Sequence, residues 1–297
     1  MKRICLLIYL IAVTLTGIGQ SLEFDYFGLA SPGDEIELFA PDIISLKNSK
    51  ETSIAISSNG DEIFFSGGQG WPECKIMHMR KINNEWSKPK VANFSTDCYS
   101  TEPAFSPDGK YLYYSSSKGM KDIKQYCIWR VEKAGNEWGE PEKVIDTANP
   151  AIWEFHPSIT KDGTVYFCSW DSLKQVGNIY KSKYANEVHL EPERVNFPFN
   201  IQSSDVNPFI DPDEEYIIIS STGQEGKGGY DVYISYRKED DSWSAPINFG
   251  DKFNTMGDDE SFDVSPDGRF LFIYKQDDVY WTETKGVFES LKKDSAN

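Results

Sequence analysis

A short turn motif recurs five times along the chain, and no other feature restricts the fold so tightly. Two copies read Ser106-Pro107-Asp108-Gly109 and Ser265-Pro266-Asp267-Gly268. The degenerate copies are Ser57-Ser58-Asn59-Gly60, Thr160-Lys161-Asp162-Gly163 and Asp211-Pro212-Asp213-Glu214. Consecutive copies stand roughly 50 residues apart, a period at which each repeat is one supersecondary unit that must stack on its neighbours to bury its faces. Pro or another compatible residue presets φ, while Asn, Asp or Gly tolerates the left-handed position, so each copy reads as the tight turn of a hairpin.

Apolar runs follow every turn: Ile63-Phe64-Phe65, Leu112-Tyr113-Tyr114, Val165-Tyr166-Phe167, Ile217-Ile218-Ile219 and Leu271-Phe272-Ile273. A further run comes after a loop, at Ile76, Ile128, Ile179, Val232 and Val279, with period-2 alternation around it. Trp86, Trp138 and Trp243 then introduce a Trp-x-x-Pro element, whose proline marks an edge strand. Aromatic residues form 14% of the chain, and such side chains favour pleated, half-buried strands. Four strands per repeat predict an all-β, five-bladed propeller of antiparallel blades. The last repeat lacks its Trp-x-x-Pro strand, whereas Leu38-Phe39-Ala40-Pro41 near the start resembles one and has no blade of its own. The N-terminal strand is therefore expected to complete the fifth blade and close the ring, in one domain from residue 36 to residue 297.

The stretch Glu102-Pro103-Ala104-Phe105-Ser106-Pro107-Asp108-Gly109-Lys110-Tyr111-Leu112-Tyr113-Tyr114, with its cousin from Ser261 to Ile273, resembles the TolB-type WD40-like propeller repeat. That resemblance implies an exported bacterial propeller acting as a binding or scaffolding module at the cell envelope. Met1, Lys2 and Arg3, the apolar run Ile4 to Val13 and the small residues of Gly17-Ile18-Gly19 read independently as a secretory signal, residues 1–19. Cleavage near Gly19 would release a secreted or periplasmic chain, with residues 20–35 as an N-terminal extension.

A net charge of −17 repels phosphate backbones and anionic headgroups, which argues against nucleic acid as a partner. No apolar segment has the roughly 20 residues of a membrane-spanning helix, so no membrane insertion is expected. Neither a G-x-S-x-G elbow, a phosphate-binding glycine loop, an H-E-x-x-H pair nor an EF-hand loop occurs, and no cofactor and no metal are expected. Cys74 and Cys98 map to loops near the junction of the first two blades and are expected to pair as a disulfide. Cys127 and Cys168 fall in strands as small hydrophobes. Oligomeric state is left open.

Propeller loops segregate to two faces, and the face opposite the repeated turns carries the mouth of the channel. Nine residues before each turn's last position stand Glu51, Ser100, Glu154, Asp205 and Asp259; seven before it stand Ser53, Glu102, His156, Asn207 and Ser261. By strand alternation these rings are read as a wet, acidic mouth. Trp71, Trp153 and Trp170 lie in loops of that face, outside the repeat. Amphipathic rings beside carboxylates suit sugars, although loop tryptophans also plug apolar gaps. The expected ligand-binding set is Glu51, Glu102, Glu154, His156, Asp205, Asn207, Asp259, Trp71, Trp153 and Trp170. Two readings follow: a binding module for a glycan, peptide or envelope protein, or a polysaccharide-cleaving enzyme using Glu51, Glu154 and Asp205 as its carboxylates.

Overall fold

The computed structural model describes residues 24, 26–70, 72–120, 122, 125–145, 149, 151–198, 203–223 and 226–294. The expected signal segment and Trp71 lie outside them. Five antiparallel blades form, each of four main strands running outward from the axis. Blade 1 comprises Ser53–Ile56, Glu62–Gly67, Lys75–Ile82 and Lys90–Val91; blade 2, Ser100–Phe105, Tyr111–Ser116, Cys127–Ala134 and Glu142–Ile145. Blade 3 comprises Ile152–Ile159, Val165–Asp171, Val176–Ser182 and Glu193–Arg194; blade 4, Asp205–Ile210, Tyr216–Ser221, Asp231–Tyr236 and Ile247–Asn248. Blade 5 is Phe262–Val264, Phe270–Lys275 and Asp278–Glu283, and its outer strand is the N-terminal Glu37–Leu38, which pairs with Trp281 and Tyr280. Ring closure thus occurs as the repeat pattern predicts.

Because strand side chains alternate, each blade offers an apolar set to both neighbours. Phe64 packs with Tyr114 and Trp138 of blade 2, while Phe65 packs with Phe272 and Trp281 of blade 5. Likewise Ile217 and Ile219 join Tyr166 of blade 3, and Ile218 joins Leu271 of blade 5. Tyr113 and Ile128 meet Val165 and Phe167 at the remaining seam. The hydrophobic core is therefore divided among the five seams, and the last of them joins blade 5 to blade 1.

The repeated turns satisfy themselves. In the second copy, Ser106 Oγ donates to Asp108 Oδ1 at 2.6 Å and accepts from the Tyr111 amide at 2.9 Å, while Gly109 adopts φ 70°. Glu214 takes the same left-handed position in the fourth copy, at φ 57°. Helix Thr284–Asp294, for which the sequence pattern gave no expectation, buries Val287 and Leu291 against Phe249 and Phe253. No helix among the described residues is long and apolar enough to cross a membrane.

Candidate functional site

Prolines follow three of the ring residues, in Glu102-Pro103, His156-Pro157 and Asn207-Pro208. A proline cannot donate to the ladder, and inside a strand it is accommodated at a bulge. The register of each innermost strand accordingly slips between Thr101 and Ala104, Phe155 and Ser158, and Val206 and Phe209. Glu102, His156 and Asn207 sit in left-handed backbone at φ 55°, 55° and 50°, and Ser261 of blade 5 at 63°. Such φ values are uncommon for residues with side chains and cluster at functional sites. Blade 1 escapes: Ser53 stays in regular pairing with Ser66.

The bulges separate the two expected rings. The earlier ring is absorbed into the blades: Ser221 Oγ donates to Asp205 Oδ1 at 2.6 Å, and Glu51 Oε2 accepts the Leu46 amide at 3.3 Å. Glu51, Glu154 and Asp205 are all buried, and none lines the channel-mouth cavity described below. Asp259 accepts the Thr255 amide within its own loop. Of the later ring, Glu102 and Asn207 line that cavity and His156 is buried beside them. Glu102 Oε2 accepts the His156 amide at 2.8 Å and the Ser115 hydroxyl at 2.6 Å, and its Oε1 lies 3.7 Å from His156 Nδ1, an ion-pair distance. Asn207 Nδ2 donates to Ser261 Oγ at 2.9 Å.

Burial would raise the Glu102 pKa, yet the His156 side chain and amide and the Ser115 hydroxyl outweigh it and lower the value. Burial likewise opposes protonation of His156, but Glu102, with Asp263 and Glu260 behind it, raises its pKa. Glu260 is displaced upward, first by burial and then by Asp258, against the pull of Asn207 and His156. Asp263, whose Oδ2 accepts the Tyr274 hydroxyl at 2.6 Å, is also raised by burial. One imidazole thus sits among three carboxyl groups.

Above this cluster, on the face opposite the repeated turns, opens a cavity of about 280 Å³. Its walls are Tyr99, Tyr126, Trp153, Phe155, Trp170 and Tyr230, with Thr101, Val206 and the polar groups of Glu102, Asn207 and Glu260. Trp153 and Trp170 are cross-strand partners in blade 3. Tyr126 bridges the rings, its centroid 5.2 Å from Tyr99 and 5.8 Å from Trp153. Ser204 Oγ fixes both the Tyr230 hydroxyl, at 2.8 Å, and the Gly177 amide, at 2.7 Å. Gly177 is itself demanded by packing, since a Cβ there would stand 2.6 Å from Val206 Cγ1 and 2.9 Å from the Asp205 carbonyl. Of the expected ligand set, Glu102, Asn207, Trp153 and Trp170 line this cavity, and His156 supports it from beneath. Tyr99, Tyr126, Tyr230 and Glu260 were not expected. Tyr126 and Tyr230 occupy the same repeat position, directly before the third strands of blades 2 and 4, and Gly177 stands at the corresponding repeat position of blade 3, inside its strand; aligning that position would have exposed them.

One further expectation, the disulfide, is revised. Cys74 and Cys98 are free thiols, not a disulfide. Their loops do meet, with the Ser100 amide 3.3 Å from the Cys74 carbonyl, but Cys98 Sγ turns instead to Ser116 and Ser100 hydroxyls at 3.2 and 3.4 Å. The tryptophans that repeat with the fold are structural. Trp138 Nε1 donates to Glu62 Oε1 at 2.9 Å, beside His78 Nε2 and Lys133 Nζ, both at 2.7 Å. Gly228 and Gly229 pack on the Thr255–Gly257 loop, where Gly228 approaches the backbone too closely for a Cβ. Among the described residues no group of His, Cys, Asp and Glu is placed to hold a metal ion.

No protein-family model and no curated protein matches the chain. Solved structures do. TolB from Acinetobacter baumannii is similar at a TM-score of 0.50 and 14% identity over 78% of this chain; the match covers only 54% of that chain. An alpha-L-arabinofuranosidase from Lactobacillus brevis is similar at 0.52 and 14% identity, covering 82% of this chain and 93% of that one. At such identities the likeness is one of fold, and it supports the β-propeller.

Proposed function

We propose that the protein is an exported, TolB-type binding module that seats one projecting group of a glycan, peptide or envelope protein in the aromatic cavity. The single observation behind this reading is the cavity's makeup: six aromatic side chains around Glu102, Asn207 and Glu260 at the channel mouth. Ligand pockets combine apolar walls with a few polar groups that fix orientation in this way. Strained backbone at Glu102, His156 and Asn207 points to the same place. Export rests on the Met1–Gly19 segment.

Glycan and peptide arrays probed with the mature protein test the reading. Hits should vanish with Trp153→Ala and with Trp170→Ala while the far-UV circular dichroism stays that of the wild type. Hits retained by both variants would move the site elsewhere.

A second reading, polysaccharide cleavage, gains from one feature. Glu102 and Glu260 line one cavity while their environments move their pKa values in opposite directions, the pattern that separates a base or nucleophile from an acid. In this reading the pair replaces Glu51, Glu154 and Asp205 as the reacting carboxyls. Oligosaccharide products released by the wild type and lost in Glu260→Gln would favour it, and binding without products would favour the module.

A further inference from the structure

Elsewhere in the molecule, several aromatic rings are capped by the protein's own cations. Lys133 Nζ lies 5.7 Å from the Trp138 ring centroid, the Arg237 guanidinium 5.2 Å from Trp243, Lys81 Nζ 5.8 Å from Trp86, and Arg130 4.5 Å from Tyr111. No described Lys or Arg stacks on Trp153, Trp170, Tyr99 or Tyr230. Nor does any described Lys or Arg line the cavity, although Glu102 and Glu260 both do. Among the described residues His156 answers their charge, and it also faces Asp263. The cavity therefore presents several ring faces and two carboxyl groups, with no described Lys or Arg on its walls.

Resting on the cavity being the binding site, we infer that the group it receives is a small organic cation, an ammonium bearing carbon substituents. An ammonium over desolvated ring faces is drawn by the ring quadrupoles, and the carboxylates add direct attraction in a partly water-excluded space. At about 280 Å³ the cavity has room for such a head group. The overall charge of −17 steers cations toward the protein. The ammonium could belong to an alkylated head group or to an amino sugar, and the probes below separate these.

Tryptophan emission of the mature protein would be titrated with two matched pairs: choline against its neutral carbon isostere 3,3-dimethyl-1-butanol, and glucosamine against N-acetylglucosamine. In at least one pair the cation should half-saturate at a concentration about tenfold lower or less than its neutral partner. The responding pair identifies the source of the ammonium. Glu260→Gln should shrink that preference to about threefold or less; Glu102→Gln is the second variant, should the first misfold. Raising the salt concentration should weaken the cation and leave the neutral member unchanged. Equal affinity within both pairs, a tighter neutral member, or no response to any probe overturns the inference. Neutral members that bind and lose binding in Trp153→Ala would leave the site standing and remove only its charge preference. Array hits indifferent to Trp153 and Trp170 would remove the site itself.

Discussion

Two buried polar centres, the seam between blades 1 and 2 and the channel mouth over blades 2 to 5, each hold a glutamate, Glu62 and Glu260, and treat it in opposite ways. At the seam Glu62 is 4% exposed and takes three donors, from His78, Lys133 and Trp138. Burial would raise its pKa, but those donors outweigh burial and hold it down at about 2. At the mouth Glu260 has one amide and one imidazole to set against burial, Asp258 and Glu102, and its pKa is displaced upward. Glu62 at the seam is saturated and stabilises the ring, whereas Glu260 at the mouth is left short of donors in a space that a ligand can enter. The difference separates groups serving the fold from groups available for recognition.

The most damaging break is Glu62→Ala, which leaves His78, Lys133 and the Trp138 indole facing an empty seam. A loss of about 3–5 kcal/mol is expected, as for removing one partner of a buried pair, and would be read as a drop in denaturant midpoint. Probe binding at the mouth should survive wherever the variant is folded. The pH dependence carries the same sign. A carboxylate depressed in the folded state contributes stability that is present above its unfolded pKa and is lost as pH falls through about 2. Between roughly pH 4.5 and pH 2 the wild type should therefore lose stability more steeply than Glu62→Gln. Parallel acid titrations followed by circular dichroism would show it, and coincident curves would deny the seam its role.

Next in size is Gly177→Ala, which forces a methyl against Val206 and the Asp205 carbonyl and crowds Trp170 at 3.2 Å. Overpacking of this kind costs about 1–3 kcal/mol. Because Val206 and Trp170 line the cavity, probe affinity should fall along with stability, coupling what Glu62→Ala keeps apart. Calorimetric titration beside thermal unfolding would register both.

The smallest effect sharpens the contrast most. A carboxyl whose folded pKa is raised costs stability once pH exceeds its unfolded value, so Glu260→Gln should leave stability unchanged or raise it by up to about 1 kcal/mol. The same exchange at Glu62 should destabilise. Chemical denaturation at neutral pH compares the two directly, and a clear loss at Glu260 would make it a second seam acid.

The five blades and their closure were legible because a period near 50 residues and strand alternation are set by the backbone itself. Leu38 could be assigned to blade 5 from its likeness to the Trp-x-x-Pro strands. The mouth was legible only in part. Alternation puts Glu154 and His156 on one side of a regular strand, but His156 and Pro157 fall in a bulge, so both are buried while only His156 meets Glu102 beneath the cavity. The pre-proline residues were visible in the sequence, and their bulges are the step that pattern reading omitted. Tyr99, Tyr126 and Tyr230 precede strands rather than belonging to them, and Glu260 stands one residue before its ring position, so none entered the rings that were counted. The Cys74–Cys98 pairing failed for a different reason: two loops can meet through their backbones while their thiols point to other partners. The C-terminal helix shows only two buried apolar side chains, Val287 and Leu291, too weak a periodicity to stand out.

Fluorine NMR of protein labelled with 5-fluorotryptophan tests the central claim most directly, because each tryptophan then reports separately. Signals would be assigned with Trp153→Phe, Trp170→Phe and Trp138→Phe, and choline, glucosamine and N-acetylglucosamine added in turn. The account predicts that a bound probe moves the Trp153 and Trp170 signals and leaves Trp138, locked onto Glu62, where it was. Shifts confined to Trp138 and Trp243, or no movement of Trp153 and Trp170 with any probe, would contradict it.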